Sequence, residues 1–322
     1  MKSIVKKIIQ KLLNEAPKET EPSIKELSSL LSKVTPPLPL PEGMSEQDLF
    51  HFVTSIRVAD ASVEEMRNYG THDFSRFIYT YGLAANLNGK CLELGANPYF
   101  TTMLLKKFTK LELSLANYFG DSPNKIGTQS VEYDDINSGQ RLNQVFEFQH
   151  FNTETERFPW DDDTFDLVIY AEIIEHLTNN PCQVLREIKR ILKPAGVLIL
   201  TTPNVARLEN VARLIAGSNI YDPYSGYGPY GRHNREYNRH ELVTLLQYEG
   251  FDCEEHFTAN VHKDSTTSYF SLAELENLVS FRKSDLGQYI FVKAKNSERS
   301  ASKFPTWLYR SMPEECLEKV AL

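Results

Sequence analysis

Glu172, Glu175 and His176 stand at i, i+3 and i+4, immediately after an apolar run that ends at Tyr170. On a helix this spacing places three ligand-type side chains on one face. Two carboxylates and an imidazole buried side by side are mutually costly without a cation, and a divalent metal relieves the conflict by neutralising the pair. A plainer alternative stands beside this one: Glu175 caps a helix or pairs with a Lys or Arg, and His176 is a hydrogen-bonded core histidine.

The elements that would position these groups follow from the apolar runs. Phe165–Tyr170 reads as a strand covered on both faces, so its carboxyl end is the ligand edge of an open α/β sheet. Further strand candidates are Cys91–Leu94, Leu111–Ala116, Val145–Gln149, Val197–Thr201, Phe251–Phe257 and Tyr289–Ala294, with helices at Thr101–Phe108, Pro181–Leu192 and Arg239–Glu249. Their alternation predicts an α/β fold with a doubly wound, seven-stranded, mostly parallel sheet. Ser271–Val279 is a helix-like insertion between the last two strands, which could pair antiparallel at the sheet edge.

Thr201-Thr202-Pro203-Asn204 ends the fifth strand at that same edge, and a long loop, 217–238, follows it with Tyr221, Tyr224, Tyr227, Tyr230, Arg232, Arg235 and Tyr237. Such a loop can fold over the site as a lid, and flat rings suit the C–H faces of a sugar. The alternative is an ordinary Tyr-Gly-Pro loop held by aromatic packing.

Length and charge bound the rest. A chain of 322 residues has room for one large domain with appendages or two small ones, and a formal charge of -8 argues mildly against a broad grip on nucleic acid, which needs clustered Lys and Arg, while leaving room for a local basic groove. Cys91, Cys182, Cys253 and Cys316 lack the paired spacing of zinc or disulfide frameworks, as expected of reduced thiols in a cytoplasmic protein. Residues 1–16 form a basic amphipathic pattern, which packs on the protein itself or a second subunit, or docks on a partner protein or on anionic lipid at the inner face of a membrane. A Pro-rich linker completes 1–43, a helical preface covers 44–81, and 296–322 is a tail that packs back locally.

Lys90 to Tyr99 is a strand ending in a tight turn before a helix, where doubly wound folds cradle the nucleotide part of a cofactor. Glu93 and Gly95 in that turn, Phe158-Pro159-Trp160-Asp161-Asp162-Asp163-Thr164-Phe165-Asp166 before the fourth strand and Leu192-Lys193-Pro194-Ala195-Gly196-Val197 before the fifth together resemble the class I S-adenosylmethionine-dependent methyltransferases. The resemblance implies a Rossmann-like methyltransferase domain at 82–295 with S-adenosylmethionine held by Glu93, Gly95, Asn97, Tyr99, Asn117, Asn152, Glu154 and Glu172. Asn97 and Tyr99 stand where the family carries glycines, and Asn117 stands where it carries an acid for the ribose; that exchange forfeits a charge-assisted bond worth about 1 kcal/mol. Asn152 or Glu154 would read the adenine amine. A GxGxxG dehydrogenase is a weaker reading, because the turn does not match that pattern.

Glu-x-x-Glu-His, Thr-Pro-Asn and the later Arg-His-x-x-Glu-Tyr resemble the metal-dependent small-RNA 2′-O-methyltransferases and, more loosely, the O-methyltransferases of ubiquinone synthesis. Carried over by position, the ligands of a divalent ion, Mg or Mn rather than Zn, would be Glu172, Glu175, His176 and His233, with His176 or His233 taking the proton of an acceptor hydroxyl. The acceptor expected is a hydroxyl of a sugar or glycan precursor; RNA ribose is a first rival and a non-catalytic binding module on the same fold a second.

Overall fold

The computed structural model describes residues 36–320 and 322, so the amphipathic pattern at 1–16 and the linker up to Thr35 lie outside the described residues. Three helices precede the main sheet: α1 (Glu46–Ser55), α2 (Val63–His72) and α3 (Phe74–Ala84), with a two-residue strand β1 (Arg57–Val58) between the first two. The Ser45 hydroxyl accepts from Asp48 N to start α1 in a capping box, and Ser62 caps α2 by accepting from Glu65 N. The expected helical preface is therefore three helices. The last crosses the expected boundary at 81, because α3 buries Phe74, Phe77, Ile78, Tyr81 and Leu83 in the same core as Leu167 and Ile199 of the sheet.

The strands are β2 (Lys90–Leu94), β3 (Glu112–Asn117), β4 (Ile126–Asp134), β5 (Arg141–His150), β6 (Phe165–Ala171), β7 (Leu192–Pro203), β8 (Phe251–Ala259) and β9 (Tyr289–Asn296). They form one nine-stranded sheet in the order β1-β4-β5-β3-β2-β6-β7-β9-β8. From β5 to β7 neighbours run parallel, while β9 runs antiparallel to both β7 and β8. Those seven are the strands expected from the pattern. The sheet gains β4 and β1, both antiparallel, at one edge. The pattern missed β4 because an edge strand with a wet face carries few apolar residues, as in Gly127-Thr128-Gln129-Ser130.

Strand β6 is buried on both sides. Leu167 and Ile169 enter one core and Val168 and Tyr170 the other, as alternating side chains must, and all four are fully buried. The remaining helices are α4 (Phe100–Phe108), α5 (Pro181–Ile191), α6 (Leu208–Ile215), α7 (Arg239–Tyr248) and α8 (Leu272–Val279), of which α4, α5 and α7 bury side chains in the two cores. In α5, Asn180 accepts from Gln183 N, Pro181 occupies the first turn, and Val184, Leu185, Ile188 and Ile191 form the buried stripe. Each such side chain contributes about 1.5–3 kcal/mol of burial. The tail pairs β10 (Phe304–Pro305) with β11 (Leu317–Glu318), and Phe304, Trp307, Leu308 and Tyr309 pack onto the α5 core. Among the described residues, no helix is long and apolar enough to cross a membrane.

Candidate active site

The carboxyl ends of the adjacent strands β2, β6 and β7 converge on one crevice, the position where open α/β sheets take ligands. After β2 the chain turns at Gly95, whose φ of +68° is in the left-handed region. A Cβ at Gly95 would also lie 2.8 Å from Ile173 Cδ1, so the tight turn needs glycine for both its conformation and its clearance. Gly95 N and Ala96 N both donate to Ala116 O at the end of β3, which pins the turn to the sheet.

Two cavities meet at Gly95 and Glu172. One is lined by Asn117, Tyr118, Phe151, Asn152, His176 and Tyr230, the other by Arg76, Glu93, Asn97, Tyr99 and Thr101 among others. Asn97, which lines the second, has its Nδ2 buried without a hydrogen-bond partner. Arg76 is almost wholly buried: Nε donates to Asp73 Oδ1 at 3.0 Å and Nη2 to Tyr69 Oη at 2.7 Å, while Nη1 faces Glu172 at 3.9 Å. Glu93 is buried with Thr102 Oγ1 donating to its Oε2, and burial pushes its carboxyl up to about 8. The lining of that cavity thus combines a guanidinium, an amide and a buried acid.

Several expected cofactor contacts are spent elsewhere. Asn117 Oδ1 accepts from Asn97 N at 2.8 Å and its Nδ2 donates to Tyr99 Oη at 3.1 Å, so its amide props the turn. Tyr99 stacks its ring on Phe146 at 5.3 Å, fully buried, and its hydroxyl donates to Gln129. Tyr99 thus braces the loop from behind, which is how the chain dispenses with a glycine there. Of the two residues expected to read adenine, Glu154 is committed: its carboxylate accepts from Thr178 N, Thr178 Oγ1, Asn179 N, Asn180 N and Tyr230 Oη. These donors at the start of α5 also hold its pKa below the usual value, even though burial opposes them. Asn152 lines the cavity, with its Nδ2 donating to Tyr230 Oη at 3.2 Å.

The helical face expected for Glu172, Glu175 and His176 is absent. Glu172 has φ +55°, and only Ile174–His176 form a single 3-10 turn. Glu172 N donates to Thr201 O at 2.9 Å and its carboxylate accepts from Thr201 Oγ1 at 2.7 Å, so the side chain turns toward Thr201 and Arg76. The four-ligand set is not assembled as expected. Ligand atoms of Glu175, His176 and His233 lie within 4.8 Å of one another, and Glu172 is outside that group.

The local bonding prepares those three atoms. His176 Nδ1 donates to Arg232 O at 2.9 Å, because a carbonyl can only accept, so its Nε2 carries a lone pair. His233 Nδ1 meets Glu236 Oε1 at 2.9 Å, which leaves Nε2 as its other ring nitrogen. Glu175 is fully buried; Oε2 accepts from Thr202 Oγ1 at 2.8 Å, while Oε1 has no partner and lies 3.9 Å from His176 Nε2. Burial first, then the charge of Glu172, raises the Glu175 carboxyl to about 8. Burial and the neighbouring His233 lower His176; in His233 burial is outweighed by Glu236 and Glu175, and its pKa rises. An orphaned buried carboxylate oxygen between two bared imidazole nitrogens suits a divalent cation.

The loop 217–238 is anchored to this cluster. Asn234 N and Arg235 N donate to Glu175 O at 2.7 and 3.1 Å, and Asn234 Nδ2 donates to His176 O at 2.8 Å. Of the expected lid residues, Tyr237 is buried, Tyr230 points inward, Arg235 pairs with Glu241 at 2.9 Å, and Arg232 lies over the Tyr224 ring at 4.6 Å. Tyr221, Tyr224 and Tyr227 are exposed at 82%, 92% and 95%. Arg76 and Arg207, the latter paired with Glu236, were not expected at the site. Asp73 as a helix cap with Arg three residues on was the one readable sign of the first.

Comparison with known proteins is consistent with this architecture. A family model described as a methyltransferase domain matches residues 66–256. A protein of Mycolicibacterium smegmatis named as a probable S-adenosylmethionine-dependent methyltransferase is 32% identical over 97 residues, 30% of this chain and 32% of that protein. The ubiquinone biosynthesis O-methyltransferase of Glaesserella parasuis is 26% identical over 162 residues, covering 46% of this chain and 64% of the relative. The chain thus spans about a third to under two thirds of the length of these relatives. A solved S-adenosylmethionine-dependent methyltransferase from Archaeoglobus fulgidus superposes with a TM-score of 0.40 at 14% identity, over 69% of this chain and 91% of that one.

Proposed function

Since the chain belongs to the methyltransferase-domain family, we propose that it transfers the methyl group of S-adenosylmethionine to a hydroxyl of a sugar or glycan precursor, with a divalent ion assisting. The observation that carries the ion is the unpartnered Glu175 Oε1 facing His176 Nε2, with His233 completing the group. Two imidazoles and one carboxylate suit Mn better than Mg, which prefers an all-oxygen shell.

The residues divide into two sets. Glu175, His176 and His233 would hold the ion. Glu93, Gly95, Asn97, Asn152 and Arg76 would hold the cofactor, with Tyr230 closing over its adenosine end. The cofactor supplies an electrophilic sulfonium methyl, and the ion supplies a lowered pKa for a hydroxyl in its shell. Thr202 and Arg232 fix Glu175 and His176 so that the acceptor oxygen can be presented in one orientation. With Nδ1 of each histidine occupied, both roles expected of His176 and His233, ligation and taking the proton of the acceptor hydroxyl, would fall to Nε2. Exposed Tyr221, Tyr224 and Tyr227 offer ring faces to a pyranose beyond the reacting oxygen.

The test offers methyl-labelled S-adenosylmethionine with pools of saccharides, RNA ending in a 3′ diol, and quinol precursors, each with EDTA or with Mn. Ion-dependent label in a saccharide supports the reading. Label in RNA alone replaces the acceptor, undiminished transfer in EDTA removes the ion, and no calorimetric binding of S-adenosylmethionine would leave a non-catalytic module.

A further inference from the structure

Glu172 stands between the two sets of residues and is fully used by neither. Its carboxylate lines both cavities, accepts one hydrogen bond from Thr201, and sits 3.9 Å from Arg76 Nη1, too far for a hydrogen bond. Its backbone is held at φ +55°, a conformation that costs a non-glycine residue on the order of 1–2 kcal/mol. Surroundings that hold such a residue fix where its side chain can go. On the other side, Arg76 is locked in place by Asp73 and Tyr69 and lines, with Asn97, the cavity beside Glu172. A fixed guanidinium lining a cavity suits a carboxylate. The charge of Glu172 is felt at Glu175 and that of His233 at Glu172, so Glu172 is within electrostatic reach of the proposed ion group while its oxygens stay outside it.

We propose that Arg76 and Glu172 couple the two binding events: Arg76 is the ion-pair partner of the Glu172 carboxylate until the carboxylate of the cofactor takes that place, and Glu172 then completes the shell of the divalent ion. The inference rests on the proposed reading of cofactor and ion, and adds that each tightens the other. The physical basis is that one guanidinium cannot satisfy two carboxylates through the same Nη1. The carboxylate it gives up is left buried beside Glu175 and needs a cation.

The experiment titrates MnCl2 into the full chain, reading free Mn by electron paramagnetic resonance, with and without saturating S-adenosylhomocysteine, which has the amino-acid carboxylate but no transferable methyl. The expected result is Mn binding about tenfold tighter with S-adenosylhomocysteine, inside the roughly 5–150-fold span of ordinary coupling. 5′-Methylthioadenosine, which has the nucleoside but lacks the amino-acid part, is expected to leave the Mn affinity unchanged. Glu172→Gln is expected to bind Mn and S-adenosylhomocysteine separately and lose the tightening; Arg76→Lys, which keeps the charge, reports the same loss should the first variant fold poorly. Equal Mn affinity with and without S-adenosylhomocysteine overturns the coupling while leaving both sites standing, as does equal tightening by 5′-methylthioadenosine. Absence of Mn binding altogether overturns the ion site, and the coupling with it.

Discussion

His176 and His233 meet edge to face with ring centroids 4.9 Å apart, one arriving from the 3-10 turn after β6 and the other from a loop 57 positions later in number. Each has its Nδ1 held by an oxygen, from Arg232 and Glu236 respectively; His176 Nε2 lies 3.9 Å from the buried Glu175 Oε1, and a ligand atom of His233 is within 4.8 Å of both residues. Such an arrangement makes the ion site a property of three residues acting together. Glu175→Ala or His233→Ala is therefore expected to weaken Mn binding at least about a hundredfold, by loss of one of three ligands. Circular dichroism should remain that of the parent. Mn binding within about threefold of the parent in either variant would show that these residues are structural.

Glu236 touches no cavity-facing ligand atom yet orients one. Its Oε1 meets His233 Nδ1 and its Oε2 is paired with Arg207. Glu236→Gln keeps the shape and removes the charge, so metal affinity should fall about 10–100-fold, as for other acceptors behind a ligating imidazole. Calorimetric titration of Mn measures this, and an unchanged affinity would remove Glu236 from the site.

Glu93 makes the free protein sensitive to pH. Its folded pKa is raised to about 8 by burial, so the folded state holds the proton more tightly than the unfolded chain does. Its stabilising contribution is complete below the unfolded carboxyl value near 4.3 and is lost as pH rises through about 8, at up to about 1.4 kcal/mol per pH unit between them. Thermal melts from pH 5 to pH 8.5 should show the parent losing stability and Glu93→Gln losing less. Parallel curves for the two proteins would mean that Glu93 is ionised throughout.

Glu154 joins the start of α5 to the cavity wall. Removing its carboxylate by Glu154→Ala strands the N–H groups of Thr178, Asn179 and Asn180 and frees Tyr230 Oη. A cost of about 2–3 kcal/mol and a drop of several degrees in Tm are expected. Tyr230→Phe, which loses only the lid bond, should cost less than about 1.5 kcal/mol. Equal losses in the two variants would contradict the assignment of Glu154 as the acceptor that holds Thr178, Asn179 and Asn180 in place.

The amino-acid sequence by itself located seven strands, most plainly the central ones, because two-sided burial writes itself as runs such as Leu167–Tyr170 and these need no distant partner to be read. It also placed Glu175, His176 and Gly95 at the carboxyl edge. Local chemistry decided these features, and local chemistry is legible. Edge strand β4 and helix α6 escaped because an edge has a wet face and a short helix has little stripe to show. The division of labour among the polar residues depended on the tertiary structure. Only the folded chain sends Glu154 to the N-terminus of α5, spends Asn117 on the turn, buries Tyr237 and pairs Glu172 with Thr201 and Arg76. A carboxylate or amide bonds to whichever donor the fold brings within about 3 Å, and that partner lies anywhere in the chain. Spacing in sequence suggested a common helical face for Glu172, Glu175 and His176; a positive φ at Glu172 turned it away and left His233 to come from the loop.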